Sequence, residues 1–180
     1  MKKILLFVVL ALTLAPAAAG AVSISVEPFG GLSYPVLQDD RKQGSQFGVR
    51  FEVSAVPVLT LEPYYGHGSY GDKTIQPPVG SPVTFDGGKV SSFGVNLLIE
   101  TGTNMFKIYP FAGIASNKDE RDTGDQTNTG YNFGAGVGFG LPAKLSVDVR
   151  GELQMIVTGD TSRKFGNATV GLRYSFLSLP

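Results

Sequence analysis

The sequence predicts an all-β fold: an eight-stranded antiparallel up-and-down transmembrane β-barrel, preceded by a cleaved signal peptide. Three observations predict it. The first residues have the layout of an export signal, the apolar residues that follow recur with a period of two, and long polar connections alternate with short ones. The composition, with 24 Gly, 12 Phe and 7 Tyr among 180 residues, also favours strands over a helical bundle.

The export signal occupies the beginning of the chain. Lys2 and Lys3 precede the apolar segment 4–14, and small residues follow it, so cleavage after Ala19 or Ala21 satisfies the small-residue rule. The alternative, an uncleaved N-terminal anchor, is disfavoured because the apolar segment is short. The predicted division is 1–21 for the signal peptide and 22–180 for the barrel domain. Removing the two lysines leaves 13 basic and 15 acidic residues, a net charge of −2.

The period of two is clearest from Lys144 to Val157, where apolar residues at odd-numbered positions alternate with polar residues at the even-numbered positions from Lys144 to Gln154. The eight predicted strands lie near residues 22–34, 44–56, 58–70, 84–100, 105–117, 128–141, 143–157 and 164–176. The fifth of them is apolar on both faces, so its register stays open.

The connections between the strands differ in length. The long polar ones are predicted to be outer loops, because transmembrane barrels combine short periplasmic turns with longer outer loops. Surface ligands, if any, are expected to bind to these loops. The three long loops are 37–43, 71–88 and 117–127. Asp119 to Asp125 in the third loop is interpreted as solvated rather than as a cation site, because Arg121 interrupts it.

The polar face of the strands decides between a membrane barrel and a soluble sandwich or lipocalin-like barrel. A soluble barrel buries its apolar face inside and exposes its polar face to water, whereas a membrane barrel has a polar interior and an apolar outer surface. The polar face of these strands carries charged residues, which fit the interior of a membrane barrel and could not form an apolar core. We expect these side chains to lie inside the barrel and to neutralise one another as a network. They are Glu27, Arg50, Glu52, Glu62, Asp148, Arg150, Glu152 and Arg173.

The last strand carries the most specific motif. The segment from Thr169 to Phe176 resembles the signal read by the barrel-assembly machinery, and the whole chain resembles the small eight-stranded outer-membrane barrels of the OmpA/OmpX kind, a porin family. The resemblance implies the outer membrane of a Gram-negative cell envelope. It also implies contacts with outer-membrane lipids, lipopolysaccharide and the assembly machinery. The residues matching the assembly signal are Thr169, Gly171, Tyr174 and Phe176.

Three functions are compatible with this fold. The first is a non-enzymatic barrel that supports envelope integrity or mediates surface-loop interactions such as adhesion or defence. The second is an acyl hydrolase acting on lipid A, in which His67 and Ser69 share an outward face near the outer rim; it lacks an outward carboxylate to orient the histidine. The third is a small-solute or ligand-passing barrel. We predict no catalytic residues, cofactor or metal, and no nucleic-acid partner, since no basic stripe is present.

Overall fold

Eight long strands form the wall of the barrel in a computed structural model of the chain. They are β1 (Ser23–Val36), β2 (Gly44–Val56), β3 (Leu59–Tyr70), β6 (Lys89–Ile99), β8 (Phe106–Glu120), β9 (Gln126–Leu141), β10 (Leu145–Thr158) and β11 (Thr161–Ser178). Three short strands accompany them: β4 (Lys73–Ile75), β5 (Val83–Phe85) and β7 (Thr101–Gly102). The structure describes residues 23–36, 41–56, 58–103, 105–121, 124–159 and 161–178. The predicted signal peptide, 1–21, lies outside these residues.

The long strands pair antiparallel with their neighbours in chain order, and the first strand pairs with the last. Gly30 of β1 lies opposite Val170 of β11, which closes the sheet on itself. Closure matters because hydrocarbon offers no partners to the backbone groups of an open sheet edge. The fold is therefore the predicted eight-stranded antiparallel barrel. No helix within the described ranges is long and apolar enough to cross a membrane.

Side chains alternate between the interior and the outer surface along each strand. On β10, Asp148 and Arg150 are buried whereas Val149 between them is exposed. Large apolar side chains cover the outer surface, including Phe47, Phe51, Tyr65, Phe93, Phe133, Phe139, Tyr174 and Phe176. A polar interior and an apolar exterior reverse the arrangement of a soluble barrel, and they suit a wall surrounded by lipid.

The strand whose register the sequence left open, β8, places its aromatic residues inside. Tyr109 and Phe111 are buried, whereas Ile108 and Ile114 are exposed. Glycines on the neighbouring strand β9 make this possible: a Cβ atom at Gly136 would stand 2.5 Å from the Tyr109 ring. The alternating glycines of β9 thus provide the space that the aromatic rings of β8 occupy.

Several predicted strand boundaries are wrong, among them the start of the fourth strand and the end of the last one. The fourth strand was expected over 84–100, but it begins at Lys89, because the chain turns at Gly88, which has a left-handed φ of 67°. Residues 83–85 belong instead to the two-stranded sheet β4–β5. The last strand was expected to end at Phe176 and continues to Ser178, where Ser178 lies opposite Ser23.

Candidate functional site

Arg150 is the centre of an ion-pair network in the barrel interior. Its guanidinium lies 2.6 Å from Glu62, 3.2 Å from Glu52 and 3.4 Å from Glu27. The side chain is 1% exposed, so these contacts form away from bulk solvent. Nε of Arg150 also donates to the hydroxyl of Tyr109 at 2.8 Å. One residue of β10 therefore contacts β1, β2, β3 and β8.

Arg50 and Arg173 extend the same network. Arg50 lies 2.6 Å from Glu27, and its guanidinium carbon stands 3.8 Å from the centre of the Phe29 ring. Arg173 lies 2.8 Å from Glu52 and 2.7 Å from Asp148. Each arginine thus contacts a carboxylate on another strand, which offsets part of the cost of burying the charges.

The network continues towards the periplasmic end through two residues that the sequence analysis missed. Arg173 lies 3.2 Å from Glu100, and the ammonium group of Lys107 lies 3.1 Å from the same carboxylate. Glu100 follows the last residue of β6, and Lys107 lies at the start of β8. The inward position of Glu100 could have been predicted, because it follows Asn96 and Leu98 at intervals of two residues and both of these face the interior.

Glu152, the eighth residue of the proposed network, lies in a different layer. Its carboxylate accepts a hydrogen bond from Asn167 at 2.9 Å. Amide side chains fill this level of the barrel: Asn96 donates to Glu62 at 2.7 Å, Asn132 donates to Asn96, and Gln154 donates to Asn117 at 2.9 Å. A small cavity lies beside Glu152. It has room for one or two water molecules, whose centres could occupy about 20 Å³.

An apolar layer closes the outer half of the barrel. Tyr70, Val90, Ile156 and Phe165 form a buried cluster. Arg41 lies against it, with its guanidinium carbon 5.2 Å from the centre of the Tyr70 ring. Apart from the cavity beside Glu152, side chains therefore fill the interior of the described barrel from the charged network to this layer, as expected for a barrel of eight strands.

Asp119 corrects the prediction of a solvated acidic loop. The strand β8 extends to Glu120, and Asp119 is a buried residue within it. Arg41 donates two hydrogen bonds to its carboxylate, at 2.6 and 2.7 Å, and Arg163 donates another at 2.8 Å. Asp119 therefore links the end of β8 to the loop before β2, through Arg41, and to the start of β11, through Arg163. Its charge is paired with these arginines rather than exposed to solvent.

His67 and Ser69 lie on the outward face of β3, as the alternation of burial along the strand indicates. Nδ1 of His67 lies 3.0 Å from the hydroxyl of Ser91 on β6, and its ring centre lies 5.4 Å from that of Phe47. Ser91 therefore occupies the place beside the imidazole at which a carboxylate would act in a Ser-His-Asp arrangement. Among the described residues, no group of three or more His, Cys, Asp or Glu side chains is arranged so that it could hold a metal ion.

The four residues of the proposed assembly signal divide between the two faces of β11. Thr169 is buried and accepts a hydrogen bond from Arg50 at 3.0 Å. Gly171 leaves the space that the Glu27 carboxylate occupies. Tyr174 and Phe176 are exposed on the outer surface. The register of β11 against β1 shifts beside Phe176.

The shift is visible in the pairing of β11 with β1. Ser175 lies opposite Ser25, and Leu177 lies opposite Ile24, so Phe176 is an extra residue in the ladder.

The outer loops differ in structure. In the loop 71–88, β4 and β5 form a hairpin that stands apart from the barrel sheet. Of loop 37–43, residues 41–43 are described; the amide of Lys42 donates to the carbonyl of Gly71 at 2.9 Å. The loop predicted over 117–127 is shorter, because β8 ends at Glu120 and β9 begins at Gln126.

Comparison with solved structures identifies similar folds. Neisserial surface protein A is 17% identical in sequence, and its structure superposes with a TM-score of 0.63. The alignment covers 87% of this chain and 99% of the Neisserial protein. A major outer membrane protein from Thermus thermophilus is 13% identical, with coverages of 86% and 99% and a TM-score of 0.60. The N-terminal β-barrel domain of Pseudomonas aeruginosa OprF is 16% identical, with coverages of 84% and 97% and a TM-score of 0.54.

At such low identities these similarities establish the fold alone. None of the curated proteins matches the sequence significantly. A family model provides the assignment: the model of the outer membrane protein β-barrel domain matches residues 4–176. Together with the closed barrel and its apolar exterior, this match places the protein in the outer membrane. The chain belongs to the outer membrane protein β-barrel domain family.

Proposed function

We propose that this protein is a non-enzymatic outer-membrane barrel that acts through its outer surface. In this proposal the wall supports the integrity of the envelope, and the outer loops contact molecules at the cell surface. The observation that carries the proposal is the filled interior: the Arg150 network and the Tyr70–Phe165 layer occupy the lumen of the described barrel. A barrel with such an interior has its remaining chemistry on its lipid-facing wall and its loops.

The hairpin β4–β5 supports a role for the loops. Ile75, Val83 and Phe85 are exposed on it, and Val79 at its tip is 92% exposed. Apolar side chains that stay exposed in an ordered segment commonly mark an interaction surface. The outer connections around Asp119 are held by ion pairs instead, which favours a supporting role for them.

A complementation experiment tests the proposal. Cells lacking the gene receive either the wild-type chain or a variant in which residues 74–84 are replaced by a Gly-Ser linker. We expect the deletion to increase sensitivity to detergents and to reduce binding of cells to surfaces. The wild-type chain should restore both properties, and the linker variant should restore detergent resistance alone. A deletion that leaves both properties unchanged would contradict the proposal.

A further inference from the structure

A carboxylate without an ion pair adjoins the cavity in the barrel interior. Glu152 accepts a hydrogen bond from Asn167 at 2.9 Å, and among the described residues it forms no ion pair with an arginine or a lysine. Its side chain is partly exposed, and since Glu152 lies on the inward face of β10, this exposure is to the cavity. Charges inside proteins are normally paired with an opposite charge or bound to a metal ion. The protein wall does not provide such a partner for Glu152.

The lumen as a whole carries more negative than positive charge. Between the periplasmic end and the layer of Tyr70 and Phe165, the described residues place six carboxylates and four cationic side chains inside the barrel. Two negative charges are therefore left over. The carboxylates are those of Glu27, Glu52, Glu62, Glu100, Asp148 and Glu152, and the cations are Arg50, Lys107, Arg150 and Arg173.

The cavity exists because β3 has a glycine at an inward position that no side chain fills. A Cβ atom added at Gly66 would meet only the Phe29 ring, at 3.6 Å, which is an ordinary contact. By contrast, a Cβ atom at Gly136 would stand 2.5 Å from the Tyr109 ring. The space beside Gly66 is therefore free of protein atoms, and it lies at the level of the amide side chains.

Several side-chain oxygens around the cavity have lone pairs that no donor uses. Among the described residues the Gln46 side chain has no hydrogen-bond partner. Gln154 donates two hydrogen bonds through its amide nitrogen, which leaves its amide oxygen available. Tyr64 acts as a donor through its hydroxyl group, so the lone pairs of that oxygen are also available. Carboxylate, carbonyl and hydroxyl oxygens are the ligands that hard metal cations prefer.

This arrangement favours a monovalent metal cation over a proton or a divalent ion. A proton on Glu152 would need one acceptor and no additional volume, whereas several oxygens surround this space. A divalent ion such as Ca²⁺ usually binds several carboxylates. Here one carboxylate is available, and Arg50, which also lines the cavity, is paired with Glu27 at 2.6 Å. A K⁺ ion has about the radius of a water molecule, so it matches a space of this size.

We propose that the cavity beside Glu152 binds a monovalent metal cation of the size of K⁺. The carboxylate of Glu152 is its charged ligand, and its neutral ligands are the amide oxygens of Gln46 and Gln154 and the hydroxyl of Tyr64. The bound ion offsets part of the negative charge of the lumen and connects β2, β3 and β10. Alternation along a single strand does not indicate such a site, because its ligands come from three strands. The proposal is independent of the proposed function.

The dependence of stability on the cation tests the proposal. The barrel is unfolded with urea in lipid vesicles at constant total salt, while K⁺ is replaced stepwise by tetramethylammonium, which is too large for the cavity. A ligand that binds only the folded state stabilises it in proportion to the logarithm of its concentration above the dissociation constant. We therefore expect the urea midpoint to rise by equal steps for each tenfold increase in K⁺. Equal midpoints in both salts would overturn the proposal, and a midpoint that depends on pH but not on K⁺ would assign a proton to Glu152 instead.

Two substitutions locate the effect. Glu152→Gln removes the charge but keeps an oxygen for the hydrogen bond from Asn167, and Gly66→Ala places a methyl group in the cavity while all charges remain. Both variants should lose the K⁺ dependence, whatever their stability in tetramethylammonium. Glu120→Gln, which changes a carboxylate bound by Lys118 at the outer end of β8, is the matched control and should keep the K⁺ dependence in full. A K⁺ dependence that persists in Glu152→Gln would place the ion elsewhere and overturn the proposal.

Crystallography with Tl⁺ locates the ion directly. Tl⁺ replaces K⁺ at oxygen-lined sites, and its anomalous scattering distinguishes it from water. Crystals of the wild-type protein soaked in thallium nitrate should show an anomalous peak beside Glu152, and crystals of Glu152→Gln should show none there. A wild-type crystal with no peak in the cavity would overturn the proposal. Peaks confined to the protein surface would do the same, because they would represent an adventitious ion only.

Discussion

Arg150 of β10 and Glu62 of β3 form an ion pair of 2.6 Å across the barrel lumen. The two strands lie four positions apart in the closed order of eight long strands, so the pair joins opposite sides of the wall. Neighbouring strands are already connected by backbone hydrogen bonds. The interior network therefore adds connections that the sheet cannot provide, and it fixes the cross-section of the barrel.

The first prediction concerns the stability that Arg150 contributes. Arg150→Met leaves Glu27, Glu52 and Glu62 without one of their partners. Removing one member of a buried ion pair typically costs about 3–5 kcal/mol, so the free energy of unfolding in urea and lipid vesicles should fall by that order. Lys144→Met, which changes an exposed lysine, is the control. An equal effect of both substitutions would show that the network does not stabilise the fold.

A double variant separates the ion pair from other effects. In the Arg150→Met variant the buried carboxylate of Glu62 has lost a cationic partner, which should destabilise the barrel. The double variant Arg150→Met/Glu62→Gln removes that charge, so it should be more stable than the Arg150→Met variant. The interaction energy follows from the cycle of single and double variants. Strictly additive effects would contradict direct coupling between the two residues.

The second prediction concerns the end of β11. Leu177 lies opposite Ile24 and Ser178 opposite Ser23, so removing residues 177–180 shortens the pairing that closes the barrel. We expect this deletion to reduce the fraction of chains that fold in lipid, whereas removal of 179–180 alone should have little effect. Replacing Phe176 by Ser should impair insertion in cells. Heat-modifiable migration on gels measures folding, and normal insertion of the Phe176 variant would count against its place in the assembly signal.

The third prediction concerns the turn between β9 and β10. Ala143 and Lys144 both have left-handed φ angles, 62° and 61°, which are unfavourable for residues with a Cβ atom. Lys144→Gly should therefore raise the free energy of unfolding, by about 0.5–1 kcal/mol after the greater freedom of the unfolded chain is included. Ala112→Gly within β8 should lower it. Destabilisation by Lys144→Gly in the same unfolding assay would be inconsistent with strain at this turn.

The fourth prediction concerns the alternative function as an acyl hydrolase. The imidazole of His67 is hydrogen-bonded to the hydroxyl of Ser91 rather than to a carboxylate. It therefore lacks the negatively charged partner that supports a catalytic base. Purified protein should release no fatty acid from lipid A, as measured by mass spectrometry of the lipid. Fatty acid release that is lost in both His67→Ala and Ser69→Ala would establish the hydrolase instead.

The sequence predicts most of the wall because each strand has one apolar and one polar face. The alternation around Asp148 and Arg150 is sufficient to place both side chains inside. For β8 the sequence left the register open, because Tyr109 and Ile108 are both hydrophobic although they face opposite sides of the wall. Hydropathy cannot distinguish these faces, because the interior accepts aromatic rings where β9 offers glycines.

The interior contacts were harder to predict than the faces. Asp119 was assigned to a loop because charged residues cluster there, yet the strand continues and Arg41 reaches the carboxylate from a distant connection. Likewise, Glu100 lies at a strand end, where alternation along one strand gives a weak signal. Which carboxylate meets which arginine depends on the stagger of strands around the closed barrel, which a single strand pattern does not contain.

The central claim is that the closed barrel has a filled interior and acts through its outer surface. Conductance across planar lipid bilayers tests this claim most directly, because an aqueous passage along the lumen would carry ions. We predict that the wild-type protein, inserted as a heat-modifiable folded barrel, produces no stable conductance steps above the bare membrane. Reproducible single-channel steps from the wild-type protein would contradict the account, since ions would then pass through the region occupied by Arg150 and Phe165.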